Sequence, residues 1–231
     1  MEKVRAGELH LSDSLTTTSH ASKMGGSQVY LREGEVFTLE EMMKAIAIAS
    51  ANDACVAVAE HISGTVEGFL VLMNERAKAL HMDDTHFETV HGLPPTNGDP
   101  GDLTSAHDMA VLARELTKYP ELLVWSATKE DSLRGGKFIL TNTNKLVYQF
   151  PGVDGLKTGF HAQAGFNVTA TAQRDGLRMI AVVMGAPNST VRFDEAKRLL
   201  AMGFNSYRKV VLVRKDAPVG PEIKVSGSTL R

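Results

Sequence analysis

Two short stretches combine side chains that can act together on an acyl group. Ser50-Ala51-Asn52 breaks an otherwise apolar helical run, and Lys157-Thr158-Gly159 stands just ahead of a segment of alternating polarity. A serine hydroxyl both donates and accepts, so it can pass a proton, and an asparagine amide can bind a peptide backbone. A lysine ammonium stabilises a developing anion, and a threonine hydroxyl can donate to a carboxylate. Glycine beside them lets an extended ligand approach a strand edge closely. Each stretch alone is a weak signal. Ser50 and Asn52 would also serve as a helix kink or cap, because such side chains compete for backbone hydrogen bonds.

The elements that must position these residues follow from periodicity. Met1 to Asp13 reads as the tail of a helix stopped near Gly7, and residues 16–36, rich in Ser, Thr and Gly, as a surface loop with a short strand at Gln28–Leu31. Thr38 with Glu41 forms a capping box, followed by Met42, Met43, Ile46, Ile48 and Ala49 on a broad apolar face. The helix resumes from Ala54 to Ile62 and ends at Gly64, and Val66 to Leu80 is amphipathic. His91 to Gly101 is turn chemistry, and Thr104 is expected to cap a helix to about Lys118. Then the period changes to two. Phe166, Val168, Ala170 and Ala172 alternate with polar residues, Arg174-Asp175-Gly176 turns, and Leu177 to Met184 returns as an apolar strand. This hairpin is expected to be central in a sheet, its apolar run Met179–Met184 buried on both faces. A last helix, Asn188 to Met202, is expected to stop at Gly203, and Val210 to Val213 to open a further strand. Helices lying among antiparallel strands give an α/β (α+β) class.

Composition narrows the chemistry further. With 25 basic against 27 acidic residues and no run of Lys/Arg longer than two, the footprint of a nucleic-acid binder is missing. No apolar stretch is long enough to span a bilayer as a helix, and Met1 to Asp13 has no apolar core of a signal peptide. The single cysteine, Cys55, excludes an intrachain disulfide and, lying in an apolar run, reads as a buried structural thiol. No histidine pair has ligand spacing, so no metal site is expected, and His91 fits a structural place in the turn His91-Gly92-Leu93-Pro94.

In this order, Ser50-Ala51-Asn52 and Lys157-Thr158-Gly159 resemble the active-site set of the penicillin-binding serine acyl enzymes, whose third element is Ser-x-x-Lys. The resemblance is closer to the low-molecular-weight D-alanyl-D-alanine carboxypeptidases. It is carried by residues 50–60 (SANDACVAVAE), 142–146 (NTNKL), 152–160 (GVDGLKTGF) and 191–200 (VRFDEAKRLL), and covers about residues 1–205. It implies the serine β-lactamase/penicillin-binding-protein-like fold and a reaction that trims the terminal D-alanine of peptidoglycan stem peptides through an acyl-enzyme, with no cofactor. Ser50, Asn52 and Lys157 would be catalytic. Thr158, Gly159, the N–H of Phe160 and Arg192 would bind substrate, Arg192 because a guanidinium fork suits a free C-terminal carboxylate. Lys145 falls where relatives carry a basic residue near the cleft, and fits equally a solvated loop. β-Lactam antibiotics would inhibit the intact enzyme. Its site would be extracytoplasmic, with a C-terminal amphipathic helix holding it at the membrane.

One departure matters. In that family the nucleophile and base come from a Ser-x-x-Lys helix that precedes Ser-x-Asn, and residues 1–49 contain no such motif. Two literal matches, Ser126-Ala127-Thr128-Lys129 and Ser206-Tyr207-Arg208-Lys209, lie on the wrong side in chain order. The chain therefore reads as a catalytic domain (1–205) without its nucleophile helix, followed by a linker and the start of a β-rich domain (206–231), cut at both ends and expected to be inactive as given. Two other readings stay open: a β-lactamase-like hydrolase, and a non-catalytic peptidoglycan-binding pseudoenzyme.

Overall fold

A computed structural model describes residues 1–94 and 101–212, with the backbone of 223–225 and 228–230. The chain opens with helix α1 (Glu2–Arg5), which stops just before Gly7 at φ 76. Strand β1 (Ser14–Thr16) pairs antiparallel with β2 (Val36–Thr38), enclosing the short helix α2 (Ser19–Ser22). The strand expected at Gln28–Leu31 is absent. Val29 and Leu31 are buried, but β2 lies further on, and residues 28–31 take their hydrogen bonds from side chains.

The capping box at Thr38 is present in both directions and starts α3 (Leu39–Lys44), which widens into a π-helix over Ala45–Ala49. Helix α4 (Asn52–Ser63) follows, closed by Gly64 at φ 78, and then α5 (Val66–Ala79). The next cap is Ser105, not Thr104. The Ser105 side chain accepts from the Asp108 N–H at the start of α6 (Ala106–Leu116), whereas Thr104 Oγ1 meets Thr85 Oγ1. Helix α7 (Pro120–Ala127), the pair β3 (Glu130–Leu133) and β4 (Phe138–Thr141), and the one-turn α8 (Leu146–Gln149) lead into the main sheet.

That sheet is antiparallel, in the order β5-β6-β7, with β5 (Val153–His161), β6 (Gly165–Arg174) and β7 (Leu177–Ala186). Only the first half of the expected hairpin is central: among the described residues β7 is an edge strand. Its apolar run Met179–Met184 is not buried on both faces, and Met184 is exposed. Ala181 and Val183 face α9 (Ser189–Ser206), while Ile180 and Val182, half-buried, lie on the opposite face, where α6 approaches. Helix α9 also runs past Gly203. An added Cβ there would stand 2.9 Å from Met179 Sδ, so this glycine serves close helix-to-sheet approach and not termination. The strand expected from Val210 is not formed at Val210–Leu212. Val213 lies outside the described residues, and the hairpin β8 (Ile223–Val225) and β9 (Ser228–Leu230) comes later. Of the turn expected over His91–Gly101, residues 95–100 lie outside the described set.

Two separate cores result. One joins β1, β2, α3, the π-helix and α4 around Leu15, Met42 and Ile48, and the other joins β6, β7 and α9 around Val168, Ala170 and Leu200. An apolar cavity of about 770 Å³ is lined by Met43, Ile46, Phe69, Met73, Leu112 and Leu156, and it reaches Lys157.

Candidate active site

Ser50 owes its position to an irregular backbone. The π-turn inserts an extra residue into the helix just ahead of it, and Ser50 itself sits at φ 61, ψ 40, the left-handed region that non-glycine residues rarely adopt. Such outliers persist only where the surroundings over-determine them, and they cluster at functional sites. Here the break between α3 and α4 turns the Ser50 hydroxyl toward β5. Lys157 Nζ donates to Ser50 Oγ at 2.5 Å and to the Thr158 carbonyl at 2.7 Å. Burial, reinforced by the charge of Arg192, brings Lys157 down to about 8 from an ordinary lysine value of 10.5. The two motifs therefore meet directly across the molecule.

The other expected residues are placed less uniformly. Thr158 is buried, and its hydroxyl donates to Thr143 Oγ1 at 2.8 Å. Gly159 has open space where a Cβ would be, on the edge of β5 that among the described residues carries no strand partner. Phe160 is 57 % exposed, with its ring against Phe166. Arg192, 7 % exposed, lies behind this edge. Its Nη1 donates to the carbonyls of Gly159 (3.3 Å) and Asn167 (3.2 Å), Nη2 to Ser189 Oγ, and Nε is buried without a partner. A bidentate grip on a carboxylate would require the fork to release those carbonyls. Asn52 is buried in the first turn of α4, its Nδ2 donating to the Gly25 carbonyl at 2.9 Å. Lys145 is exposed ahead of α8, and among the described residues no hydrogen bond or ion pair joins it to the cluster.

Sequence reasoning missed Thr143. In Asn-Thr-Asn-Lys the two asparagines are structural: Asn142 Nδ2 donates to the carbonyls of Ser126 and Thr128, and Asn144 Nδ2 to that of Gly155. Thr143 stands between them with its N–H on Ile48 O and its hydroxyl on Thr158, bridging the π-helix to β5. An apolar-polar pattern carries no signal for such a bridge.

The two Ser-x-x-Lys matches stand elsewhere. Ser126 Oγ donates to the Asp154 carbonyl at 2.7 Å and fastens α7 to β5, while Ser206 is exposed at the end of α9. Burial pushes the Cys55 thiol up to about 11, in keeping with an inert structural residue. His91 Nδ1 accepts from the Leu93 N–H within its own turn.

A serine and a lysine from separate elements meet beside an antiparallel sheet flanked by helices, and the fold around them is the mixed α/β fold of the penicillin-binding proteins. The chain belongs to the D-alanyl-D-alanine carboxypeptidase family (peptidase family S11), which matches residues 1–188. It is 42 % identical to D-alanyl-D-alanine carboxypeptidase DacF of Bacillus subtilis over 228 residues, 97 % of this chain and 57 % of that protein. Penicillin-binding protein 6B of Escherichia coli superposes with a TM-score of 0.81 at 36 % identity, covering 88 % of this chain and 65 % of that one. Penicillin-binding protein D2 of Listeria monocytogenes, solved with ampicillin bound, superposes with a TM-score of 0.78 at 28 % identity, covering 88 % of this chain and 81 % of that one. The chain spans little more than half the length of the curated relatives it matches.

Proposed function

We propose that this chain forms the cleft of a serine-type D-Ala-D-Ala carboxypeptidase, taking the C-terminus of a peptidoglycan stem peptide along the free edge of β5. The contact between Ser50 and Lys157 carries the reading. A hydroxyl bonded to a lysine of lowered basicity can relay a proton toward a leaving amine, while the positive charge favours the anion of a tetrahedral intermediate. An extended peptide would add to the β5 edge by main-chain hydrogen bonds, with Gly159 allowing close approach and Thr158 donating to the terminal carboxylate. Arg192 supplies positive charge from behind Gly159, the Phe160 N–H would serve as an oxyanion-hole donor, and Asn52 would reach the substrate backbone by releasing the Gly25 carbonyl. No metal or organic cofactor enters this chemistry.

Formation of the acyl-enzyme needs a serine and base beside Lys157, and neither Ser126 nor Ser206 is placed for it. The 770 Å³ apolar cavity that ends at Lys157 is where a Ser-x-x-Lys helix would have to stand to reach Ser50 and Lys157 together. Residues 1–205 thus act as the catalytic-domain scaffold, and 206–231, with the β8–β9 hairpin, as a linker and the start of a further β-rich unit. This cleft works outside the cytoplasm, where stem peptides are, and accepts β-lactams as mimics of the same peptide, as the ampicillin-bound Listeria relative supports. With the Ser50 hydroxyl beside Lys157 in the relay position, residues 1–231 alone are expected to bind the peptide without turnover.

The test is titration of this chain with a short peptide ending in D-Ala-D-Ala, alongside incubation with a fluorescent penicillin and intact-mass analysis. Weak peptide binding that weakens further in Lys157→Met, with no stoichiometric penicillin adduct, is expected. An adduct abolished by Ser50→Ala would assign the nucleophile to Ser50 instead, catalytic loss of penicillin would favour a β-lactamase-like hydrolase, and absence of peptide binding would overturn the reading.

A further inference from the structure

Val29 and Leu31 are buried outside any strand, so their backbone groups must be satisfied in another way. Two charged side chains do this. Asp53, 1 % exposed, accepts from the N–H groups of Val29 (3.1 Å) and Leu31 (3.0 Å). Arg134, from the turn between β3 and β4, donates to the carbonyls of Val29 and Tyr30, both at 3.0 Å, and pairs through Nε and Nη2 with Glu35 at 2.8 Å. Held between them, Tyr30 takes the left-handed φ of 55.

The segment that precedes the clamped residues packs directly on Asn52. The Gly25 carbonyl accepts from Asn52 Nδ2 at 2.9 Å, and the Ser27 carbonyl accepts from the Asn52 N–H at 2.8 Å. Gly26, at φ 77, leaves 2.5 Å between an added Cβ and Asn52 Nδ2. Asp53 follows Asn52 in the first turn of α4, so one helix end holds the wall with one side chain and the segment behind it with the next. Residues 25, 27, 29, 30 and 31 are thus each bonded to Asn52, Asp53 or Arg134, outside the segment, and such surroundings can hold a strained backbone in one conformation.

We infer that Asp53 and Arg134 are positioning residues of the cleft. By clamping residues 29–31 from both sides they hold the Gly25–Ser27 wall, and that wall sets the Asn52 amide beside Ser50. The inference rests on the Ser50–Lys157 cleft being the peptide site. It makes a remote hairpin, β3–β4, a determinant of affinity that acts through residues 29–31 and Asn52.

The experiment compares the chain with Asp53→Asn and Arg134→Gln, each first shown to be fully folded by circular dichroism at the working temperature. Three quantities are read: hydrogen exchange of the Val29 and Leu31 amides, the side-chain amide resonances of Asn52, and the Kd for a peptide ending in D-Ala-D-Ala. Both variants should speed exchange at these amides at least about tenfold while leaving β5–β7 amides protected, shift the Asn52 resonances, and weaken the peptide about tenfold. Glu35→Gln, which keeps every bond to residues 29–31 but frees one side of Arg134, should give smaller changes of the same sign and covers the case in which the stronger variants do not fold. Unmoved Asn52 resonances, or acceleration spread evenly over all amides, would overturn the positioning role. So would unchanged peptide affinity in variants that have lost the clamp. If the unsubstituted chain binds no peptide while the Asn52 resonances still follow the clamp, the ligand assignment fails and the positioning of Asn52 stands.

Discussion

The two sides of the cleft are built by opposite means. Lys157, Thr158 and Gly159 lie on β5 just past a register shift between Val153 and Gly155, where the pairing with β6 runs unbroken from Gly155 to His161, fixing these side chains by register, and α9 packs against the sheet. Ser50 and Asn52 lie where regularity fails, between a π-turn and a new helix, with a wall whose backbone is held by Asp53 and Arg134. The sheet side draws its rigidity from repeated backbone bonds shared over many residues. The helix side draws it from a few side chains, so single substitutions there should act locally and strongly.

The sharpest way to break this comparison is to damage each side once. Leu200→Ala, beneath the sheet and fully buried, should cost about 3 kcal/mol in urea unfolding while leaving the amide signals of Asn52 and Ser50 in place. Gly26→Ala should cost less, about 2 kcal/mol, from its positive φ and the contact with Asn52 Nδ2, yet should displace those same signals. If Leu200→Ala moves them as far as Gly26→Ala does, the two sides are not independent.

Smaller effects sharpen the picture through pH. The folded value of Lys157, about 8, lies below its ordinary 10.5, so between those values the unfolded chain carries the extra proton and stability rises with pH. After allowance for its partial exposure the rise should be about 1–2 kcal/mol, and thermal unfolding from pH 7.5 to 10.5 should show it flattened in Lys157→Met. The hydrogen bond from Arg134 holds the Glu35 carboxyl down to about 2 from 4.5, so its stabilisation is complete above pH 4.5 and fades as pH falls toward 2. Glu35→Gln should remove only that acid limb, a smaller change, measured by the same unfolding series below pH 5.

Much of this arrangement was legible in the residues. The capping box at Thr38, the hairpin from Gly165 to Ala186 and the stop at Gly64 depend on local chemistry, and all three are present. The pairing of Ser50 with Lys157 was legible only because two motifs together implied a shared site. What escaped notice depends on partners distant in sequence. Residues 28–31 have the alternation of a strand, but their partners are Asp53 and Arg134. Gly203 has the type of a helix stop, but it faces Met179. Thr143 shows its place only once Ile48 and Thr158 are beside it. Arg192 has the chemistry of a carboxylate clamp, while its hydrogen bonds go to the backbone of the strands it supports.

The π-turn over Ala45–Ala49 sets a different kind of vulnerability. A π-turn accommodates one residue more than an α-helical turn closes with, so it marks a point where chain length, and not side-chain identity, decides the geometry. Removing a single alanine there would let the helix heal into ordinary α form, at no cost in composition or hydrophobic character. Residues on either side would keep their directions, because the residue lost is the one that the wide turn absorbs. What would change is the turn that delivers Ser50, so a one-codon deletion there tests whether the wide turn itself, and not the direction of the helix, holds Ser50 against Lys157.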